Sequence, residues 1–334
     1  MGSCRGSHLF ALKSLSVVTV AVMRKFCLIV ISLGTGRIDA RLRMGRLLLT
    51  ALLAAGIGPI NAQDPKFSPL QAETQFDAQI RYPLNLAVDQ QGRISTVDLD
   101  LPGVWRTVAK GQPTQLFFRG SGQLRRPMNR PRCIAALDDG SVVVGDSASR
   151  NLYRIGAAET ELIGLAEGGI GIPMCIAVAP DEKSLFVGDA ETRMVFRLPM
   201  QGGPPQKFAQ VNARGLSFAD DGVLWAVTPD DAAIVMISPD GSFSKLLQGR
   251  PFRYPGGITH LAGKAFVTDG YGQAIWRVTA AGDAKLWYQG TPLKHPVGIA
   301  THGEVHFVVA DPHQRELFLF DARRADEPER LFNR

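Results

Sequence analysis

Long apolar runs are missing from this chain, and so is any charge excess over most of its length. The stretches Leu15–Met23 and Phe26–Leu33 are parted by Arg24 and Lys25, and Leu47–Ile57 is only 11 residues. A spanning helix needs about 20 apolar residues, which excludes a polytopic helical membrane protein. The formal net charge of +6 sits in the first 62 residues, where eight Lys or Arg face Asp39 alone. Residues 63–334 hold 29 bases and 30 acids, a net of −1, so no basic body remains to neutralise nucleic-acid phosphates. Cysteine is scarce: four in 334 residues, of which only Cys133 and Cys175 follow residue 62. A disulfide scaffold is excluded. Also absent are a 10–15-residue helical pattern between strand-like runs, a G-x-S-x-G elbow, a phosphate-cradling glycine loop and a Cys-x-x-Cys motif.

What is present is punctuation. Thirty-five Gly and 21 Pro with 45% hydrophobic residues describe a globular chain of many turns. From Met44 the sequence MGRLLLTALLAAGIGPINA joins Arg46, an apolar core Leu47–Ile57 and a small terminal residue, Ala62. Those are the parts of a secretory signal peptide, so export (secreted or periplasmic) is expected, with no transmembrane segment in the mature chain. Residues 1–43 read as an upstream extension, the alternative being a membrane anchor within 9–34. Residues 63–81 read as a lead-in to the folded body.

Six segments open with similar phrases: YPLNLAVDQQGRISTVD, RPRCIAALDDGSVVVGD, IPMCIAVAPDEKSLFVGD, NARGLSFADDGVLWAVT, YPGGITHLAGKAFVTD and HPVGIATHGEVHFVVAD. They are anchored at Pro83, Pro131, Pro173, Ala213, Pro255 and Pro296, spaced 48, 42, 40, 42 and 41 residues apart. Five reach an aspartate: Asp98, Asp146, Asp189, Asp269 and Asp311. Aromatic-basic runs such as NLYRI, MVFRL and AIWRV follow, and a more polar strand such as KLWYQ closes the unit. Four short strands repeating every ~40–45 residues predict antiparallel propeller blades. The fold class expected is all-β, a six-bladed β-propeller over 82–334. The lead-in ETQFDAQIRYP and the final PERLF (328–332) both qualify as the outermost strand of the last blade, where one of them would join the chain ends.

These phrases resemble the NHL repeat, and the third is similar to the gluconolactonase and strictosidine-synthase-like propellers. The resemblance implies the propeller fold, which hosts enzymes, sensors and scaffolds. It also permits a test of lactonase activity. The family's divalent-cation ligands would fall at Arg81, Met174 and Arg214, two cations and a thioether in place of oxygen ligands, so that metal site is not expected. The amidating-lyase propellers use histidine-bound zinc. Here His260, His295, His302, His306 and His313 lack tight ligand spacing, although His295 and His313 can converge across one blade. No cofactor is expected.

In a propeller, the approach to strand one and the loop after strand two share one face around the central channel. The repeat aspartates are expected there as turn devices that accept loop N–H groups. Residues that break the repeat are better ligand-binding candidates. Arg132 and Arg214 stand where other repeats have Leu, Met, Gly or Val. Arg130, Asn85, Tyr254, Tyr271, His295 and His313 complete the candidate set. Two guanidiniums suggest an anionic ligand unless each pairs with a repeat aspartate. The expectation is an exported, monomeric propeller binding a small anionic ligand or a protein partner without catalysis. A lactonase- or lyase-type enzyme with a non-standard site is the alternative. Cys133 and Cys175 share the P-x-C-I-A position, where a small residue suffices, and a disulfide between them stays open. One prediction precedes any structure: the exported protein starts near Gln63. Amino-terminal sequencing that found residues 1–40 on the mature protein would refute it.

Overall fold

Strands of two to seven residues between Gly, Asp and Pro turns leave the chain one economical way to pair, each strand with its sequence neighbour. A computed structural model describes residues 80–107, 114–158 and 161–332; the proposed leader and residues 63–79 lie outside that range. Blade 1 comprises β1 (Pro83–Val88), β2 (Ile94–Asp98), β3 (Gly103–Thr107) and β4 (Gln115–Arg119). Blade 2 is β5 (Pro131–Ala136), β6 (Val142–Asp146), β7 (Asn151–Ile155) and β8 (Leu162–Gly164). Blade 3 is β9 (Pro173–Val178), β10 (Ser184–Asp189), β11 (Met194–Pro199) and β12 (Gln206–Ala209). Blade 4 is β13 (Gly215–Phe218), β14 (Leu224–Val227), β15 (Ile234–Ile237) and β16 (Phe243–Leu247). Blade 5 is β17 (Pro255–Leu261), β18 (Lys264–Asp269), β19 (Ala274–Val278) and β20 (Ala284–Gln289). Blade 6 is β21 (Ile299–His302), β22 (His306–Asp311), β23 (Glu316–Asp321) and β24 (Glu329–Arg330). Each sheet runs in sequence order and is antiparallel throughout. The first strands of successive blades touch around a ring that closes between β21 and β1. The protein is a six-bladed β-propeller.

Burial follows from this arrangement. Second strands are sandwiched between neighbours and are buried along their whole length in β2, β6, β10, β14 and most of β18 and β22. Fourth strands face water. The apolar core divides into six seams, one between each pair of neighbouring blades. The largest side chains sit between blades 5 and 6, where Phe266, Phe307, Phe318 and Phe320 pack together. The seam that closes the ring sets Leu86 and Ile94 of blade 1 against Val308, Ala310 and Leu317 of blade 6. Among the described strands none is shared between the ends; most of the lead-in expected to compete for that edge lies outside the described residues. β24, from the carboxy-terminal run, is the outermost described strand of blade 6.

The repeat aspartates explain how strand one is held to strand two. All five are buried. Asp98 accepts the N–H groups of Arg81 and Tyr82 on the approach to β1, and those of Asp100 and Leu101 in the loop after β2. Asp311 does the same with Lys294, His295, His313 and Gln314 at 2.7–3.0 Å. Asp146, Asp189 and Asp269 repeat the pattern. A buried carboxylate without a counter-cation is tolerated because several N–H dipoles converge on it. Four residues after Asp146, Asp189, Asp269 and Asp311, the non-glycine residues Arg150, Arg193, Gln273 and Arg315 hold φ of 52–59°. That left-handed conformation is unfavourable outside glycine, and the carboxylate's bonds over-determine it.

The two cysteines are unbridged and buried. Each pairs with the glycine of its second strand, Cys133 with Gly145 and Cys175 with Gly188. A Cβ on either glycine would stand 2.5 Å from the cysteine Sγ, so the sulfur occupies the space the glycine leaves. Burial pushes both thiols up, Cys175 to about 12, so they act as small apolar residues.

Replacing Asp189 with Ala leaves three N–H groups, those of Gly171, Ile172 and Glu191, without their acceptor. The expected cost is about 3 kcal/mol, read as a melting temperature lowered by roughly 6–12 °C, with Asp189→Asn in between. An unchanged melting temperature in Asp189→Ala would remove the aspartates from the stabilising framework.

Candidate functional site

The aspartate bonds fix one rim of the channel, because in five of the six blades they tie the approach segment to the loop beside it. On that rim four predicted residues come together as a layer of rings. His295 and His313 stack at 4.5 Å between centroids. Tyr254 and Tyr271 lie 4.7 Å apart, at 5.4 and 5.3 Å from His295 respectively. Tyr254 and Tyr271 remain 41% and 64% exposed, large for tyrosines that each touch two other rings. Rings held apart from full burial and close to one another form a stacking platform. Gly270 permits it: a Cβ there would stand 2.7 Å from the His295 ring. Burial and the neighbouring His313 hold the His295 imidazole below its ordinary pKa, against the pull of Asp311 and Asp269.

Tyr82 extends the layer into blade 1, edge-on to His313 at 6.4 Å. The candidate set omits it, yet the signal is in the sequence: Arg-Tyr-Pro occurs at 81–83 and again at 253–255. Burial raises the Tyr82 hydroxyl pKa, helped by Tyr254, Asp100 and Asp311, while the nearby Arg132 charge lowers it.

The arginines take different places. Arg132 is half-buried beside Tyr82, and its Nε donates to Ser147 Oγ at 3.0 Å. Arg214 lies on the wall of the central channel and also lines a recess between blades 4 and 5. Arg132 lines neither of these two spaces. Among the described residues neither forms an ion pair, and the repeat aspartates are taken by backbone N–H groups instead. Arg130 is exposed, with its own N–H on Asp146. Asn85 stands apart from the rings, in the channel wall at a β-bulge, where its Oδ1 accepts the Leu86 N–H.

Two cavities adjoin the rim. The channel encloses about 250 Å³ between the six first strands. The recess encloses about 190 Å³ and is lined by Arg214, Thr228, Asp230, Arg250, Phe252, Arg253 and Tyr254 among others. It opens at the one blade without a repeat aspartate. Thr228 stands there, donating to Ala232 O and accepting from Asp230 N, so it orders the loop after strand two, and the approach segment meets that loop through Asn212 Nδ2, which donates to Asp230 Oδ1 at 3.4 Å. Arg250 and Arg253 are absent from the sequence-derived set: Arg253 holds the approach position that Arg81 holds in blade 1, and repeat position alone does not show that it lines a recess. Among the described residues no group of three or more His, Cys, Asp or Glu stands ready to hold a metal, and no helix is long and apolar enough to cross a membrane.

At the opposite end of the channel, His260 Nδ1 meets Ser217 Oγ at 3.1 Å and the ring stands edge-on to Trp225 at 4.7 Å. Burial lowers its pKa to about 4, against the weaker pull of Asp220 and Asp221.

No known protein family matches the chain, and no curated protein does. Solved structures do. Virginiamycin B lyase from Staphylococcus aureus superposes with a TM-score of 0.59 at 15% identity, over 77% of this chain and 86% of that one. A nidogen/laminin complex gives 0.58 at 18% identity, over 73% and 91%. PQQ-bound aldose sugar dehydrogenase from Streptomyces coelicolor gives 0.55 at 16%, over 72% and 92%. At such identities the likeness establishes the propeller fold alone.

The His260 shift carries a pH dependence of stability. Its folded pKa of about 4 lies below the unfolded value near 6.5, so the unfolded chain binds a proton that the folded one refuses. Stability is therefore full above pH 6.5 and falls towards pH 4, by up to about 3 kcal/mol from this group. Urea unfolding at pH 7.5 and pH 4.5 should show a smaller acid loss in His260→Gln than in the natural protein. Equal losses would exclude His260 as the cause.

Proposed function

We propose that this is an exported propeller that binds a small ligand, anionic and flat, at the channel rim and performs no chemistry on it. The observation that supports this best is the ring layer in which Tyr254, Tyr271 and His313 are exposed around the buried His295, with Arg132 and Arg214 nearby. Planar rings recognise planar groups, and guanidiniums without a carboxylate partner favour an anion. The repeat aspartates, which would repel an anion, are already surrounded by N–H groups. Export rests on the leader sequence, and a protein partner in place of a small ligand would use the same face.

A lyase reading has one specific support. The solved relatives include a virginiamycin B lyase described as catalytically inactive after a His-to-Ala change, with quinupristin bound. The stacked His295–His313 pair offers a histidine held neutral by its surroundings, suited to accept a proton.

Thermal-shift titration with small anions and their neutral analogues tests the binding reading. A ligand should raise the melting temperature, with the effect shrinking as salt rises because part of the attraction is Coulombic. Arg132→Gln together with Arg214→Gln should remove the anion preference and leave the unliganded melting temperature within about 2 °C. A double variant that binds the anions as well as the natural protein would refute the role of both arginines. Tightly bound divalent metal at one ion per chain in the purified protein would favour the enzyme instead.

A further inference from the structure

We propose that the recess between blades 4 and 5 is the anion-binding arm of this site, and that the ligand class is an aromatic acid: a flat ring bearing a carboxylate. The inference rests on the binding reading above and names its ligand. Three guanidiniums line the recess, those of Arg214, Arg250 and Arg253, against the single carboxylate of Asp230. Three positive charges less one negative leaves a formal +2. Among the described residues none of the three arginines is ion-paired. One Asp230 oxygen is engaged with Asn212 Nδ2 at 3.4 Å. The floor is apolar: Phe252, 6% exposed, lies between Arg250 and Arg253 in sequence and turns into the core seam of blades 4 and 5. Cations above an apolar floor strengthen an ion pair by excluding water from one side.

Size then decides how much of a ligand the recess holds. About 190 Å³ is below the roughly 300 Å³ at which pockets for drug-sized ligands begin, so only a head group enters. The remainder must leave past Tyr254, which lines the recess and also lies 4.7 Å from the exposed Tyr271. One tyrosine thus links a cationic recess to a stacking platform. A ligand matching both carries its charge and its ring side by side, as an aromatic acid does. The recess opens at blade 4, which has Thr228 where five blades have aspartate. An aspartate there would put a further carboxylate at the recess and draw the approach segment onto it.

Ligand-detected NMR titration at low ionic strength, with benzoate, benzamide and acetate as probes, tests the proposal. Benzoate should bind roughly tenfold tighter than either of the others, since charged hydrogen bonds carry about that factor. Arg250→Gln with Arg253→Gln should reduce benzoate to the level of benzamide, and Arg250→Lys with Arg253→Lys should restore much of the difference. Both arginines are exposed, so the variants should melt with the natural protein, and a melting curve checks it. Tyr271→Ala should weaken benzoate and benzamide alike. Benzoate binding that survives the arginine-to-glutamine pair overturns the recess as the anion arm, while sensitivity to Tyr271→Ala keeps the rim as the binding site. Binding insensitive to all these variants, or no binding of either aromatic probe, overturns both.

Discussion

The structure depends on a buried carboxylate with no cation beside it. In five blades one aspartate side chain collects N–H groups from two segments that are far apart in sequence, the approach to strand one and the loop after strand two. Either segment alone would expose its N–H groups to a dry seam. Together they solvate an anion that water cannot reach. Every other feature of the rim follows, because the side chains of these segments are aimed by the bonds their backbones make. Tyr254 and His295 are examples: each gives its own N–H to a repeat aspartate while its ring joins the stacked layer.

Between blades the constraint is volume rather than charge. Second strands are buried on both faces, so each seam accepts only side chains that fill it. Cys133 and Cys175 exist within that limit, their sulfurs lying over Gly145 and Gly188. Where the second-strand partner carries a side chain, the first strand uses glycine, as Gly215 does opposite Val227. In blades 2, 3 and 4 the pairing reads as a small-for-large exchange across one rung, whereas blade 1 sets Asn85 opposite Val97.

Function is easier to place in a repeat protein where the repeat fails. Blade 4 fails twice, with Thr228 for the aspartate and Ala213 for the proline, and the recess opens beside it. Blades 5 and 6 keep the aspartate and use the positions around it for Tyr254, Tyr271, His295 and His313. Catalytic groups and ligand groups alike would be drawn from several blades, so the sequence separates residues that the ring brings into contact.

Composition, repeat spacing and turn residues determined the fold class from sequence. Strand length, a period of 40–48 residues and the missing helical pattern leave one architecture, and each local choice agrees with it. The aspartates were legible as turn devices for the same reason: a residue recurring at one offset serves the repeat. The gathering of Tyr254, Tyr271, His295 and His313 on one rim was legible too, since blade topology assigns a face to each position. Only the tertiary structure decided which of those residues touch, that Arg214 lines the channel and the recess while Arg132 lines neither, and that Asn85 turns to its own backbone. It alone assembled Arg250 and Arg253 with Arg214, because repeat position tells only that Arg253 stands on the approach, as Arg81 does, while Phe252 enters the seam beside it. Local pattern fixes which face a residue occupies; distance across a ring is set by packing between blades, which no single repeat encodes.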